Sequence, residues 1–390
     1  MMKFPEGFLW GSATSAYQVE GGIENNDWAE AARQGKVTPA GRACDHYNRC
    51  EEDFDIAKSL SQNAHRFSIE WSRIEPEEGR FDEIEIEHYR KVLKALRERG
   101  IEPFVTLWHF TLPIWFAKMG GFENKKAPFY FSRYCEYVVK NLGQGSDAPR
   151  FWITINEPMV FANMGYLKGN WLPLEKWYYP LSLFRYFRVI DNMATSHNVS
   201  YQKIKSIGPN SSVGIAAHNI NFEPSANPFN RLLAKFLIWF QNHRFLRKIE
   251  DRQDFIGLNY YFHKKFSDKK RYEKSDLGWD IYPKGIYNVL MELKRYHKPV
   301  YVTENGIADA KDTKRAKFIK EHLYWVKRAI DDKMDVRGYF YWSLLDNFEW
   351  ADGFGPRFGL VEVDYETMER KIRPSAYEYK KICDTNSLED

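Results

Sequence analysis

Phe151-Trp152-Ile153-Thr154-Ile155-Asn156-Glu157-Pro158 decides the fold. Five aromatic and β-branched residues in a row read as a strand buried on both faces. Two polar side chains then end the run, and Pro158 lacks the N–H that a sheet ladder needs. Pro299-Val300-Tyr301-Val302-Thr303-Glu304-Asn305-Gly306 repeats the design, an apolar run closed by a glutamate. Six further near-continuous apolar runs complete the set, at 9–19, 64–71, 103–110, 212–219, 255–261 and 338–344. Helical stretches lie between most of them. In one, Ile86, Tyr89, Leu93 and Leu96 recur at helical spacing, and Gly100 stands where a left-handed residue ends a helix. In another, Phe229, Leu232, Leu233, Phe236, Leu237 and Phe240 form a stripe, expected to face the strands as an outer helix rather than a membrane surface. Strand and helix alternating eight times predict an α/β fold, one (β/α)8 TIM barrel with elaborated βα loops. No Gly/Ser- or Pro-rich linker divides the chain, so residues 1–390 are expected to form a single domain.

Composition narrows the function. A chain of 390 residues suits such a barrel and needs no covalent staples. Aromatic residues make up 17%, with 13 Trp and 24 Tyr. Such rings offer flat apolar faces with a polar handle, as suits sugars, although most belong in a core. The net charge is only +4 and no basic stripe stands out, which excludes a nucleic-acid partner. The densest charged run, 263–274, reads as a solvated loop. No apolar run approaches a membrane span and the N-terminal residues lack a signal-peptide layout, so no membrane partner is expected. Four cysteines (Cys44, Cys50, Cys135 and Cys383) are too few for a disulfide scaffold, and a reducing cytoplasm is expected. Cys44, His46 and Cys50 match no zinc spacing; neither metal nor cofactor is expected.

In a parallel barrel the chemistry sits at the C-terminal ends of the strands. Gln18, Arg66, His109, Asn156, Glu157, Asn259, Tyr261, Glu304, Trp342, Glu349 and Trp350 all fall at or near such ends. Glu157 and Glu304, on strands four and seven, are expected to face one another across the lumen. A carboxyl pair of this kind is what cleaving a glycosidic bond requires. Arg66 and Tyr261 are expected to keep Glu304 ionised as a nucleophile. Glu157, with only Asn156 and apolar neighbours, is expected to hold a proton and act as acid and then base. Gln18, His109, Asn156, Glu349 and Trp350 can bond sugar hydroxyls, and Trp342 can stack on a ring. The stretch 353–359 is rich in glycine but has no phosphate-loop lysine, so it reads as a turn beside the pocket.

These residues resemble glycoside hydrolase family 1 from end to end. The resemblance is carried by Phe8-Leu9-Trp10-Gly11-Ser12-Ala13-Thr14-Ser15-Ala16-Tyr17-Gln18-Val19-Glu20-Gly21, by Arg66-Phe67-Ser68-Ile69-Glu70-Trp71, by both glutamate motifs and by the run from Tyr341 to Trp350. It implies a retaining double displacement without cofactor, with Glu157 as acid/base and Glu304 as nucleophile. It places Gln18, His109, Asn156, Glu349, Trp342 and Trp350 around the nonreducing sugar and makes Trp279 an aglycone-side tryptophan. A carboxylate at 349 is expected to disfavour 6-phospho sugars. The reading is thus a retaining exo-β-glycosidase of small β-glucosides, with β-galactosides or β-fucosides also open. The alternatives are a transglycosylase using the same two glutamates and a non-catalytic sugar-binding relative. Three departures stand out. Phe110 replaces a usual tryptophan. The chain is short between 220 and 254, which is expected to open one wall of the pocket. The stretch 169–188 is unusually aromatic, either a substitute wall or a contact surface.

Overall fold

The computed structural model describes residues 2–175, 178–225, 227–266 and 271–389. Eight parallel strands close into a barrel: β1 Leu9–Ala13, β2 Ala64–Ser68, β3 Glu102–Thr106, β4 Phe151–Asn156, β5 Ser212–His218, β6 Phe255–Asn259, β7 Val300–Asn305 and β8 Val336–Trp342. Each strand pairs with the next in the chain, and β8 closes on β1. β4 has the bounds expected from sequence, and all six of its residues are buried.

Other strands end sooner than their apolar runs. β1 stops at Ala13, and Ala16–Val19 forms a short helix instead. Residues 107–110 and 260–261 likewise leave the sheet, although Leu107, Trp108, Phe110 and Tyr260 stay buried. The βα loops pack down over the barrel mouth, so hydrophobicity continues past the last ladder bond and does not mark it.

An aromatic plug fills the lumen below the rim. Phe104 of β3 stacks on Phe151 of β4 at 4.1 Å, and the rings of Phe340 and Tyr301 meet Phe104 at 4.7 and 5.1 Å. Such a barrel is a packed core rather than a pore, so a ligand enters only from the rim. Gly306, just past β7, is required by close approach: a Cβ there would lie 1.8 Å from the carbonyl oxygen of Trp342.

The helix Glu83–Glu98 behaves as its pattern predicts. Asp82 caps it, accepting from the Ile84 N–H at 2.9 Å, and Ile86, Tyr89, Leu93 and Leu96 are buried. Gly100 at φ 67° ends it in a Schellman pair, with Ile101 N–H on the Leu96 carbonyl and Gly100 N–H on that of Arg97, both at 2.9 Å.

The helix Pro228–Ile238 departs from expectation. Only Ala234 is buried in it, whereas Phe229, Leu232 and Phe236 are 70%, 67% and 53% exposed. Leu237, the inner edge of the expected stripe, and Ile238 pack onto a small separate cluster of Ile220, Phe222 and Ala234. The stripe therefore does not face the strands. The 263–274 run also departs: His263–Lys265 pairs in parallel with Asn221–Glu223, and His263 is buried. Residues 267–270 of that run lie outside the described residues. Cys44 and His46 are engaged elsewhere, the thiol on the Asp346 carbonyl at 2.9 Å and the imidazole on Asp53 at 2.7 Å. No helix among the described residues is long and apolar enough to cross a membrane.

Candidate active site

Glu157 follows β4 directly. Its backbone is left-handed (φ 43°, ψ 59°), and Pro158 opens the next helix with a preset φ and no N–H to satisfy. A non-glycine residue held there is strained by about 1–2 kcal/mol. Its N–H is tied to the Ala216 carbonyl of β5 at 2.8 Å, which helps hold the turn. Glu304 stays within β7 and registers against Asn259 of β6.

Arg66, fully buried on β2, reaches across the lumen. Its Nε donates to Thr106 at 3.0 Å, one Nη donates to Glu304 Oε1 and the other to Asn156 Oδ1 at 2.7 Å. Tyr261 donates its hydroxyl to the other oxygen of Glu304 at 2.5 Å. The amide of Asn259 donates to Glu157 Oε1 at 2.7 Å, while its oxygen accepts from Thr303 at 2.7 Å. Glu304 thus faces a cation and a phenol, and Glu157 faces one neutral amide. From sequence, Asn156 is the one polar neighbour expected beside Glu157. Instead Asn156 accepts from Arg66, and its amide meets the His109 Nε2 at 3.2 Å.

Burial pushes the carboxyls of both glutamates up to about 7. For Glu304, Arg66 works against that rise, Glu157 adds to it, and the bonds from Tyr261 and Arg66 oppose it. For Glu157, the Asn259 bond and Arg66 oppose it. At Glu304 desolvation is the largest effect, and the Arg66 cation and the Tyr261 hydroxyl oppose it. The asymmetry lies in the partners.

Above the pair opens a cavity of about 400 Å³. Gln18, His109, Asn156, Glu157, Tyr261, Trp279, Glu304, Trp342, Glu349 and Trp350 all line it, whereas Arg66 and Asn259 stand behind the carboxylates. The His109 ring lies nearly parallel to both Trp342 and Trp350, each 6.0 Å away, and its Nδ1 is buried without a partner among the described residues. Gln18 is pinned, its amide donating to Asn347 at 2.9 Å and to the Phe348 carbonyl at 2.7 Å. Burial, with Glu304 and Asp352 nearby, pushes Glu349 up to about 8.

Several lining residues escaped the sequence reading. His218 closes β5 and is buried, and burial pushes its imidazole down to about 4. Its place at a strand end was signal enough. Trp171 lies 4.9 Å from Phe110 and 5.7 Å from Trp350, so the stretch 169–188 does supply a wall beside the missing tryptophan. It also supplies exposed surface, with Tyr178 91% and Tyr179 78% exposed. The short region still contributes Ile220 and Gln241 to the pocket. Phe358, within the glycine-rich turn, and Asp352, just before it, line the same rim.

Comparison with known proteins agrees with this geometry. The model of Glycosyl hydrolase family 1 matches residues 1–245 and 238–388, and the two segments meet inside the shortened region. Beta-glucosidase A of Thermotoga maritima is 35% identical over 450 aligned positions, covering 100% of this chain and 99% of the relative. A 6-phospho-beta-galactosidase of Staphylococcus aureus is 29% identical, covering 98% and 99%. Among solved structures, a beta-glycosidase from Pyrococcus horikoshii superposes with a TM-score of 0.92 at 39% identity, covering 100% of this chain and 96% of that one. The family 1 β-glucosidase from Thermotoga maritima superposes with a TM-score of 0.93 at 33% identity, each chain fully covered. A closed parallel barrel, two glutamates at its rim and relatives of this kind along the whole length lead to one conclusion: the chain belongs to glycosyl hydrolase family 1 and is a β-glycosidase.

Proposed function

We propose that the protein is a retaining exo-β-glycosidase that removes an unphosphorylated sugar, glucose foremost, from small β-glycosides. The observation that carries this reading is the unequal company of two equally buried glutamates. Two carboxyls in one dry pocket do not both ionise near neutrality. The charge settles on Glu304, which touches the Arg66 cation and the Tyr261 hydroxyl, and the proton settles on Glu157.

The reaction then runs in two displacements. A carboxylate oxygen of Glu304 bonds to the anomeric carbon as the bond to the leaving oxygen breaks, and Glu157 gives that oxygen its proton. Esterification removes the charge on Glu304 that had helped hold the proton on Glu157. Glu157, now a carboxylate, takes a proton from water while the water oxygen attacks the anomeric carbon and frees Glu304. Two inversions restore the β configuration. Gln18, His109, Asn156, Glu349 and Trp350 bond the sugar hydroxyls, Trp342 supplies the stacking face and Trp279 meets the aglycone. The four free cysteines support a reducing compartment such as the cytoplasm.

Proton NMR during hydrolysis of a nitrophenyl β-glucoside tests the mechanism. The first-formed sugar is expected to be the β-anomer, and the α-anomer would overturn the reading. A panel of nitrophenyl glycosides that includes a 6-phosphoglucoside tests the sugar. Faster turnover of the phosphorylated member would overturn that part.

A further inference from the structure

The structure assigns the outward face of the Pro228–Ile238 helix, with its continuation Trp239–His243 and the start of the helix Leu181–Ile207, to docking on a bilayer of anionic lipid.

Phe229, Leu232, Phe236 and Trp239 follow one another at spacings of three, four and three, and all are exposed, Trp239 least at 39%. A helix whose apolar stripe looks outward, while its opposite side is seated on the protein, is laid out to enter an interface. A second apolar group adjoins it. Phe240 lies 5.9 Å from Phe236 and 6.1 Å from both Tyr186 and Phe187, which joins the stripe to the helix that begins at Leu181. There Leu181 and Phe184 are 45% and 57% exposed, just after the exposed Tyr178 and Tyr179. Tyrosine and tryptophan at the edge of an apolar patch suit the headgroup level of a bilayer.

Charge selects the occupant. Residues 224–249 contain no Asp or Glu and five Lys or Arg. Arg231 and Lys235 stand one turn apart on the flank of the stripe, both exposed. Nearby acids are already engaged: Glu175, ahead of the adjoining helix, with Arg185 at 2.8 Å, and Asp191, on that helix, with Lys248 at 3.0 Å. Two copies meeting face to face through this surface would set cation against cation, whereas anionic headgroups neutralise it. Gln241, two residues beyond Trp239, lines the sugar pocket, so the docking face and the pocket share a rim.

Co-sedimentation of the full chain with phosphatidylglycerol–phosphatidylcholine vesicles, and with phosphatidylcholine vesicles alone, tests this. Binding to the anionic vesicles is expected to be at least tenfold stronger and to fall in high salt. The double variants Leu232→Ser/Phe236→Ser and Arg231→Glu/Lys235→Glu are each expected to lose at least tenfold of it, with thermal unfolding and nitrophenyl-glucoside hydrolysis unchanged. Protein that stays in the supernatant overturns the assignment, as does binding that neither variant weakens. A dimer in light scattering that the Leu232→Ser/Phe236→Ser variant dissociates, without vesicle binding by the parent, would give the face to a second copy instead. The charge-reversal variant keeps the test open if the serine variant fails to fold.

Discussion

Glu157 and Glu304 are the same residue, similarly buried, with carboxyls pushed up to the same value of about 7, yet their surroundings differ. One hangs on a strained left-handed turn after β4 and receives a neutral amide. The other sits inside β7 and receives a guanidinium and a phenol. Burial makes either a candidate acid, and only the partners separate the roles.

Exchanging the two residues is the strongest way to break that comparison. Glu304→Gly is expected to lower kcat on the order of 10^6-fold, the scale for losing a nucleophile. Added azide is expected to restore turnover and yield the α-glycosyl azide, which NMR identifies. A β-azide would reverse the assignment. Glu157→Gln is expected to slow substrates with poor leaving groups by roughly 10^2–10^4-fold, the range for general acid catalysis. The loss on dinitrophenyl glucosides is expected to be far smaller, and equal losses would remove Glu157 as the acid.

The pH profile sharpens the same contrast. Glu157 keeps its proton below about 7 and loses it above, so kcat/KM is expected to fall as pH rises through that value. As the proposed nucleophile Glu304 acts in its ionised form, so its protonation is expected to set the acid limb. In Glu157→Gln the alkaline limb, measured with an activated aryl substrate, is expected to vanish, and its persistence would assign it to another group. Tyr261→Phe gives the smallest effect. It removes one charge-assisted hydrogen bond, worth about 1.5–3 kcal/mol, from Glu304. A loss of kcat on the order of 10- to 100-fold, with a shifted acid limb, is expected, and a change in KM alone would make Tyr261 only a binding residue.

Much of this was legible in the chain because parallel strands buried on both faces leave an unmistakable record, an apolar run closed by a polar residue. The runs located all eight strands and the rim residues that follow them. They misplaced several strand ends, since Leu107, Trp108 and Tyr260 are as buried in the loops as in the ladder. Trp171 escaped because it enters the pocket from a loop without periodicity. The stripe at Phe229, Leu232 and Phe236 was read correctly as a helix face and wrongly as a buried one, because spacing reports which side chains share a face but not what lies opposite.

By itself, the order of residues determined the barrel, its family and the two glutamates, since strand length, unbroken apolar runs and helix ends are local properties written in the neighbours of each residue. Tertiary structure alone decided that Asn259 rather than Asn156 bonds Glu157, that Trp171 flanks Phe110, and that an aromatic helix turns outward. Those outcomes depend on which segments far apart in the chain arrive at the same place, and hydrogen-bond geometry and desolvation act only once they have met.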